Sequence, residues 1–155
     1  MAHGIDFDVL FDKLVSHQVA SGFYEMVTRH EPKANPGTGI TAASWFQRLT
    51  PAAKVSGLNI TSLRVEFITR LYTSMLAEDQ DEIDPRVLRA VGHLMQVYSE
   101  DFELDGVVME VDLFAAHGPP LDAKAGYLRQ GPTLYRVVDV LTPLIVADVF
   151  DQIPS

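Results

Sequence analysis

The sequence predicts an α+β fold: a mostly antiparallel sheet with two packed helices, in the order α-β-β-β-α-β-β-β. Three observations carry this. Apolar residues recur at helical spacing over residues 5–20, and strand-like alternation runs from Ser62 to Met75. A strong helix start at Asp84-Pro85 opens a second amphipathic stretch. Runs of strands interrupted by two helices indicate helices laid on one sheet rather than a parallel βαβ fold.

The first helix is expected over Ile5 to Ala20. Phe7, Leu10, Phe11 and Leu14 form one face, while Asp6, Asp8, Asp12 and Lys13 take the other. Acidic residues at its start suit the helix dipole, and Ser21-Gly22 supplies the stop. Phe23 to His30 reads as a short strand that ends at the Pro- and Gly-rich run from Pro32 to Gly39. Ala43 to Leu49 is the second strand, stopped by Pro51.

The third strand is the clearest. Leu63, Val65, Phe67, Thr69, Leu71 and Met75 fall on one face; Ser62, Arg64, Glu66, Arg70 and Tyr72 fall on the other. The first face is built for a core, and the second is expected to be wet or to meet a polar partner. After an acidic loop, Asp84 is the expected N-cap and Pro85 the first helical residue, followed by Val87, Leu88, Val91, Leu94, Met95 and Tyr98. This helix should end near Glu100, because Asp105-Gly106 is turn chemistry.

Val107 to Ala115 returns to strand alternation and is broken by His117-Gly118-Pro119-Pro120. Tyr127 to Gln130 and Thr133 to Val146 then form a hairpin around Gly131-Pro132. The last strand is apolar on both faces, which places it inside the sheet. Pro143 has no N–H for a ladder bond and argues for a bend or an edge. Those two readings conflict.

The 155 residues are 47% hydrophobic and 21% charged, and mean hydropathy is +0.09. This is ordinary globular composition and fits one domain, 1–155. There are 12 Lys and Arg against 21 Asp and Glu, a net charge of −9, so no general phosphate-neutralising surface exists for nucleic acid or anionic lipid. With no cysteine, disulfides, thiolate nucleophiles and Cys-based zinc sites are excluded. The first residues lack the pattern of a secretory signal, and no apolar run is long enough to span a membrane. Folding in a reducing cytoplasm is expected.

The search for catalytic chemistry does not assemble a site. The histidines are His3, His17, His30, His93 and His117, and no His-x-His or His-x-x-x-His pair occurs among them. Gly-x-Ser-x-Gly is absent. The glycine-rich Asn35-Pro-Gly-Thr-Gly-Ile lacks the Gly-Lys-Ser/Thr ending of a phosphate loop. The acidic Glu78-Asp79-Gln80-Asp81-Glu82 lacks the ligand spacing of an EF-hand. Aromatic residues beside arginines, Trp45 to Arg48 and Arg70 to Tyr72, are better explained by a half-buried sheet than by base stacking in so acidic a chain. No catalytic, cofactor-binding or metal residue is expected. Long loops over 31–41 and 115–132, with the polar face of Arg64, Glu66 and Arg70, are instead what an assembly component needs.

Several stretches resemble the tail terminator proteins of long-tailed (siphovirus-type) phages of actinobacteria. They are His30-Glu-Pro-Lys-Ala-Asn-Pro-Gly-Thr-Gly-Ile-Thr-Ala-Ala-Ser-Trp45, Leu71-Tyr-Thr-Ser-Met75 running into the acidic loop, and Ile83-Asp-Pro-Arg86. Ala125-Gly-Tyr-Leu128, Leu134-Tyr-Arg-Val-Val-Asp-Val140 and Pro143-Leu-Ile-Val-Ala-Asp-Val-Phe150 complete the set, which spans nearly the whole chain in one order. The resemblance implies a structural subunit of a hexameric ring on the head-proximal end of the tail tube. Such a ring stops tube polymerisation and presents the joint to the head. Its implied partners are further copies of itself, the major tail tube protein and a head-completion or stopper protein. Its implied place is the virion neck, after assembly in the host cytoplasm. No enzymatic activity or cofactor is implied.

Genome DNA would pass through such a ring without specific binding, so acidic groups are expected to outnumber basic ones on the lumen wall. The loop of Lys33, Ala34, Asn35, Pro36, Gly37 and Thr38 is expected to reach a neighbouring subunit or ring. The competing readings are another neck component, a small-molecule-binding α+β domain with an enclosed apolar cavity, and an enzyme whose histidines and acids converge in a cleft.

Overall fold

A computed structural model describes residues 6–31, 39–52, 56–57, 60–75 and 80–152. The first helix, α1, spans Phe7–Ser21. The Asp6 carboxylate caps it by accepting from the backbone N–H groups of Asp8 and Val9 at 3.0 and 3.2 Å. Gly22 ends it in the left-handed region at φ 74°. Three strands follow: β1 Met26–Thr28, β2 Thr41–Pro51 and β3 Ile60–Ser74. A 3-10 turn at Gln80–Glu82 leads into α2, Ile83–Glu100. The chain closes with β4 Glu110–Val111, β5 Asp122–Gln130 and β6 Thr133–Asp151. The observed order is the expected α-β-β-β-α-β-β-β.

The six strands form one sheet in the order β1-β2-β3-β6-β4, with β5 also paired to β6. Every pairing is antiparallel except β1 with β2. The last strand, β6, lies inside the sheet. Its first half pairs with β5, Asp122 opposite Leu141 being the last pair, and Ile145 and Leu144 then pair with β4. Pro143 sits where the partner changes. Its carbonyl accepts from the Asp112 N–H at 2.9 Å, so its nitrogen faces the β4/β5 side and no ladder bond to β3 is lost. An interior strand and a proline are thereby reconciled.

Both helices cover one face. Leu10, Leu14, Val87, Val91 and Leu94 pack on Val65, Phe67, Leu71, Val138, Val140 and Leu144, the alternating set expected for β3 and its counterpart on β6. A polar knot crosses this core. Buried Gln18 Nε2 donates to Ser44 Oγ at 2.9 Å and to Thr69 Oγ1 at 3.2 Å, and it lies 3.3 Å from Tyr98 Oη, which donates to the Leu14 carbonyl at 2.8 Å. It fastens α1, β2, β3 and α2 at fixed positions.

Four expectations need correction. Asp84 is not the N-cap: α2 starts at Ile83, Glu82 makes no side-chain cap, and the Asp84 carboxylate accepts from Arg136 Nε at 2.9 Å. The strand expected over Val107 to Ala115 shrinks to two residues. Leu104, Asp105 and Gly106 take positive φ, which turns Leu104 and Val108 into the core, and the Asp112 carboxylate accepts from the N–H groups of Ala116 and His117 to end the strand. The strand expected over Tyr127 to Gln130 begins earlier, at Asp122, so β5 takes nine residues of the expected 115–132 loop region. Finally, the polar face of β3 is not wet. Ser62, Arg64, Glu66 and Tyr72 are buried, and only Arg70 among those polar residues is partly exposed.

Candidate interaction surface

The face of the sheet opposite the helices divides into a closed part and an open part. In the closed part, the chain from Asp112 to Leu121 folds over Arg64 and Glu66. Arg64 Nη1 donates to Asp112 at 2.7 Å, Nε to Glu66 at 3.3 Å, and Nη2 to the Pro119 carbonyl. Gly118, at φ 151°, makes room for this: a Cβ there would stand 2.8 Å from Arg64 Cζ. The Arg64 and Glu66 charges are thus consumed within the subunit.

The open part centres on Arg70. Its guanidinium donates to both Asp139 oxygens, at 2.5 and 2.9 Å, and lies over the rings of Trp45 and Tyr72. The paired carboxylate holds the arginine well above its ordinary pKa, against the opposing effect of burial. Ala43, Tyr72, Tyr135 and Val137 form a small apolar cluster beside it, flanked by Trp45 and Leu128. A shallow cavity of about 270 Å³ runs from Arg70 and Asp139 to Lys124 and Leu128.

On the helical face, each side of the sheet carries a groove. On one side, β1 pairs with β2 only from Thr41 to Ala43, so β2 has no outer neighbour among the described residues from Ser44 onward. A bulge between Phe46 and Arg48 puts Phe46 and Leu49 on the same face. With Phe7, Phe11 and Phe67 they line an apolar pocket of about 270 Å³. Phe7 is 43% and Phe46 50% exposed, so the pocket opens at the surface.

On the other side, β5 is bonded to β6 alone among the described residues. Ala123 and Ala125 floor a second groove of about 230 Å³, walled by Val87, Leu88 and Val91 and closed at one end by the Asp84–Arg136 pair. Tyr127, 62% exposed, stands beside it under the Arg136 guanidinium, 4.5 Å from its ring centroid.

The histidines lie apart. His17 pairs with Asp101 at 2.8 Å and meets the Tyr98 ring edge-on; His93 packs against Phe23; His117 lies 3.2 Å from Glu110. His30 sits in the bend after β1, and His3 falls outside the described residues. Among the described residues no group of three or more His, Asp or Glu is arranged to hold a metal ion. No helix among them is long and apolar enough to cross a membrane.

The expected contact loop, Lys33 to Thr38, also lies outside the described residues. Sequence reading missed the Phe7/Phe46/Leu49 pocket and the β5 edge. The bulge that aligns Phe46 with Leu49 leaves no mark in the alternation, and Asp122 to Gly126 lacks apolar periodicity. No protein-family model matches the chain, and no curated protein matches it significantly.

Proposed function

We propose that the protein is a structural subunit of a phage neck: a tail terminator that forms a ring, most simply a hexamer, on the head-proximal end of the tail tube. The ring stops tube growth and provides the joint to the head. The reading rests on the stretches from His30 to Phe150 quoted above. The observation that carries it furthest is that the subunit offers unlike surfaces on its two sides, an aromatic pocket beside β2 and a small-residue groove beside β5. Unlike surfaces are what a heterologous, ring-closing contact requires. Each groove has exposed side chains in its walls, which suits docking rather than enclosure of a small molecule.

In this reading the partners are other copies of the chain, the tail tube protein and a head-completion protein, and DNA passes through without specific contacts. Acidic groups then outnumber basic ones on the lumen wall; a ring whose mapped lumen is mainly basic refutes that. Residues 33–38 are proposed to contact a neighbouring subunit or ring: deleting Ala34 to Gly37 should impair assembly and leave the circular dichroism spectrum unchanged, and unaltered assembly refutes this.

The deciding experiment is electron microscopy of lysates from the producing phage with this reading frame disrupted. Overlong tails apart from filled heads support the terminator role. Normal tails beside open, leaking heads assign the protein to head completion instead. Normal infectious particles overturn both.

A further inference from the structure

The geometry points to the two sides of the sheet as each other's partners: the β5 edge of one copy docks on the Ser44–Pro51 edge of β2 of the next, with Tyr127 entering the Phe7/Phe11/Phe46/Leu49/Phe67 pocket. This rests on the ring reading and names the surfaces that would close the ring.

Strand direction comes first. Both β2 and β6 are antiparallel to β3, so they run the same way, and β5 is antiparallel to β6. Rotating a second copy about an axis along the strands brings its β5 beside β2 in antiparallel sense, with both helical layers on one side. Each edge, unpaired there among the described residues, holds a row of backbone N–H and C=O groups suited to such pairing. The β2 edge offers eight residues beyond the β1 pairing and β5 offers nine.

Side chains match on the shared helical face. There β5 presents Ala123, Ala125 and Tyr127 in alternation. Small residues admit the bulk of Phe46 and Leu49, while the phenol ring supplies an apolar body for a pocket whose lining is all Phe and Leu.

Charge matches too. Arg129 is exposed, two residues beyond Tyr127 on the same face, and forms no ion pair among the described residues. Phe7 and Phe11, in the pocket wall, are followed in α1 by the exposed carboxylates Asp8 and Asp12; among the described residues, only Asp12 of the two has an ion-pair partner, Arg29. A guanidinium arriving beside this flank is attracted to it. The unlike surfaces make the contact heterologous, so it propagates around a ring rather than closing a two-fold dimer.

The cysteine-free chain makes the test direct. Gln47→Cys and Ala125→Cys are introduced together, and the concentrated protein is treated with a short bis-maleimide. A crosslinked ladder ending at the hexamer is expected, with each single variant giving no ladder. Tyr127→Ala or Arg129→Glu in the double-cysteine background should reduce it at least tenfold while circular dichroism stays unchanged. No ladder at the highest soluble concentration, dimers only, or an equal ladder from the control pair Ser99→Cys with Ala125→Cys overturns the docking. The terminator reading is judged separately by tail length in the disrupted phage, so overlong tails with no ladder would reject these edges and keep the ring.

Discussion

Arg64 and Asp112, 48 positions apart, meet at 2.7 Å with only 3% and 2% of their side-chain surface exposed. The pair joins the central strand β3 to the end of the short strand β4. Asp112 also holds the N–H groups of Ala116 and His117, so one carboxylate organises both the turn and the arginine. Two charges desolvated this fully are stable only together.

Asp112→Ala should therefore cost about 3–5 kcal/mol in urea unfolding, because it strands a buried guanidinium beside a single remaining carboxylate. Arg64→Met should cost at least as much, because it leaves the buried Asp112 and Glu66 carboxylates without their counter-charge. Gly118→Ala acts on the same clamp: its Cβ meets Arg64 at positive φ, and a loss of about 1–3 kcal/mol is expected.

Gln18 is the one polar side chain of α1 turned into the core. Gln18→Ala should cost about 1–3 kcal/mol by leaving Ser44 and Thr69 with fewer partners. Equilibrium urea melts measure it, and a change below about 0.5 kcal/mol would show the knot to be dispensable.

Among the described residues the buried Tyr24 hydroxyl has no hydrogen-bond partner, and burial pushes its pKa well above 10.0. The unfolded chain ionises this phenol first, so its contribution to stability is intact below pH 10 and is lost as pH rises toward the folded value. Tyr24→Phe should raise stability by about 1 kcal/mol at pH 7 and by more above pH 10. Thermal melts across that range test both parts, and a Phe variant less stable at every pH contradicts them.

Lys13 and Asp105 form an exposed pair at 2.9 Å that joins α1 to the turn after α2. Its hydrogen bond and charge lower the Asp105 pKa below 3.8 and raise that of Lys13 above 10.5. The Asp105 contribution is complete above pH 3.8 and fades as pH falls through the folded value; the Lys13 contribution is complete below pH 10.5 and fades above it. Stability owed to this pair is thus flat around neutrality. In Lys13→Met, the Asp105 carboxyl should titrate higher by NMR, toward its ordinary value.

The two helices and the strand over Leu63 to Leu71 follow from local chemistry. Asp6 and Gly22 bound α1 through bonds within a turn, and alternation from Leu63 to Leu71 sorts side chains between faces without reference to any neighbour. That order of elements was legible in the sequence, whereas the grooves at the sheet sides were not. Which polar groups are buried depends instead on contacts between distant parts of the chain. Arg64 and Glu66 read as a face that is wet or meets a polar partner, and their cover, Asp112 and the Pro119 carbonyl, lies about fifty residues away. Asp122 to Gly126 extends into β5 because β6 offers it a ladder, not because Ala-Lys-Ala-Gly favours a strand. Phe46 and Leu49 share a pocket because a bulge shifts the register against β3. Capping and pleating are short-range and written locally; burial of charge, strand pairing and register depend on what the rest of the chain brings alongside.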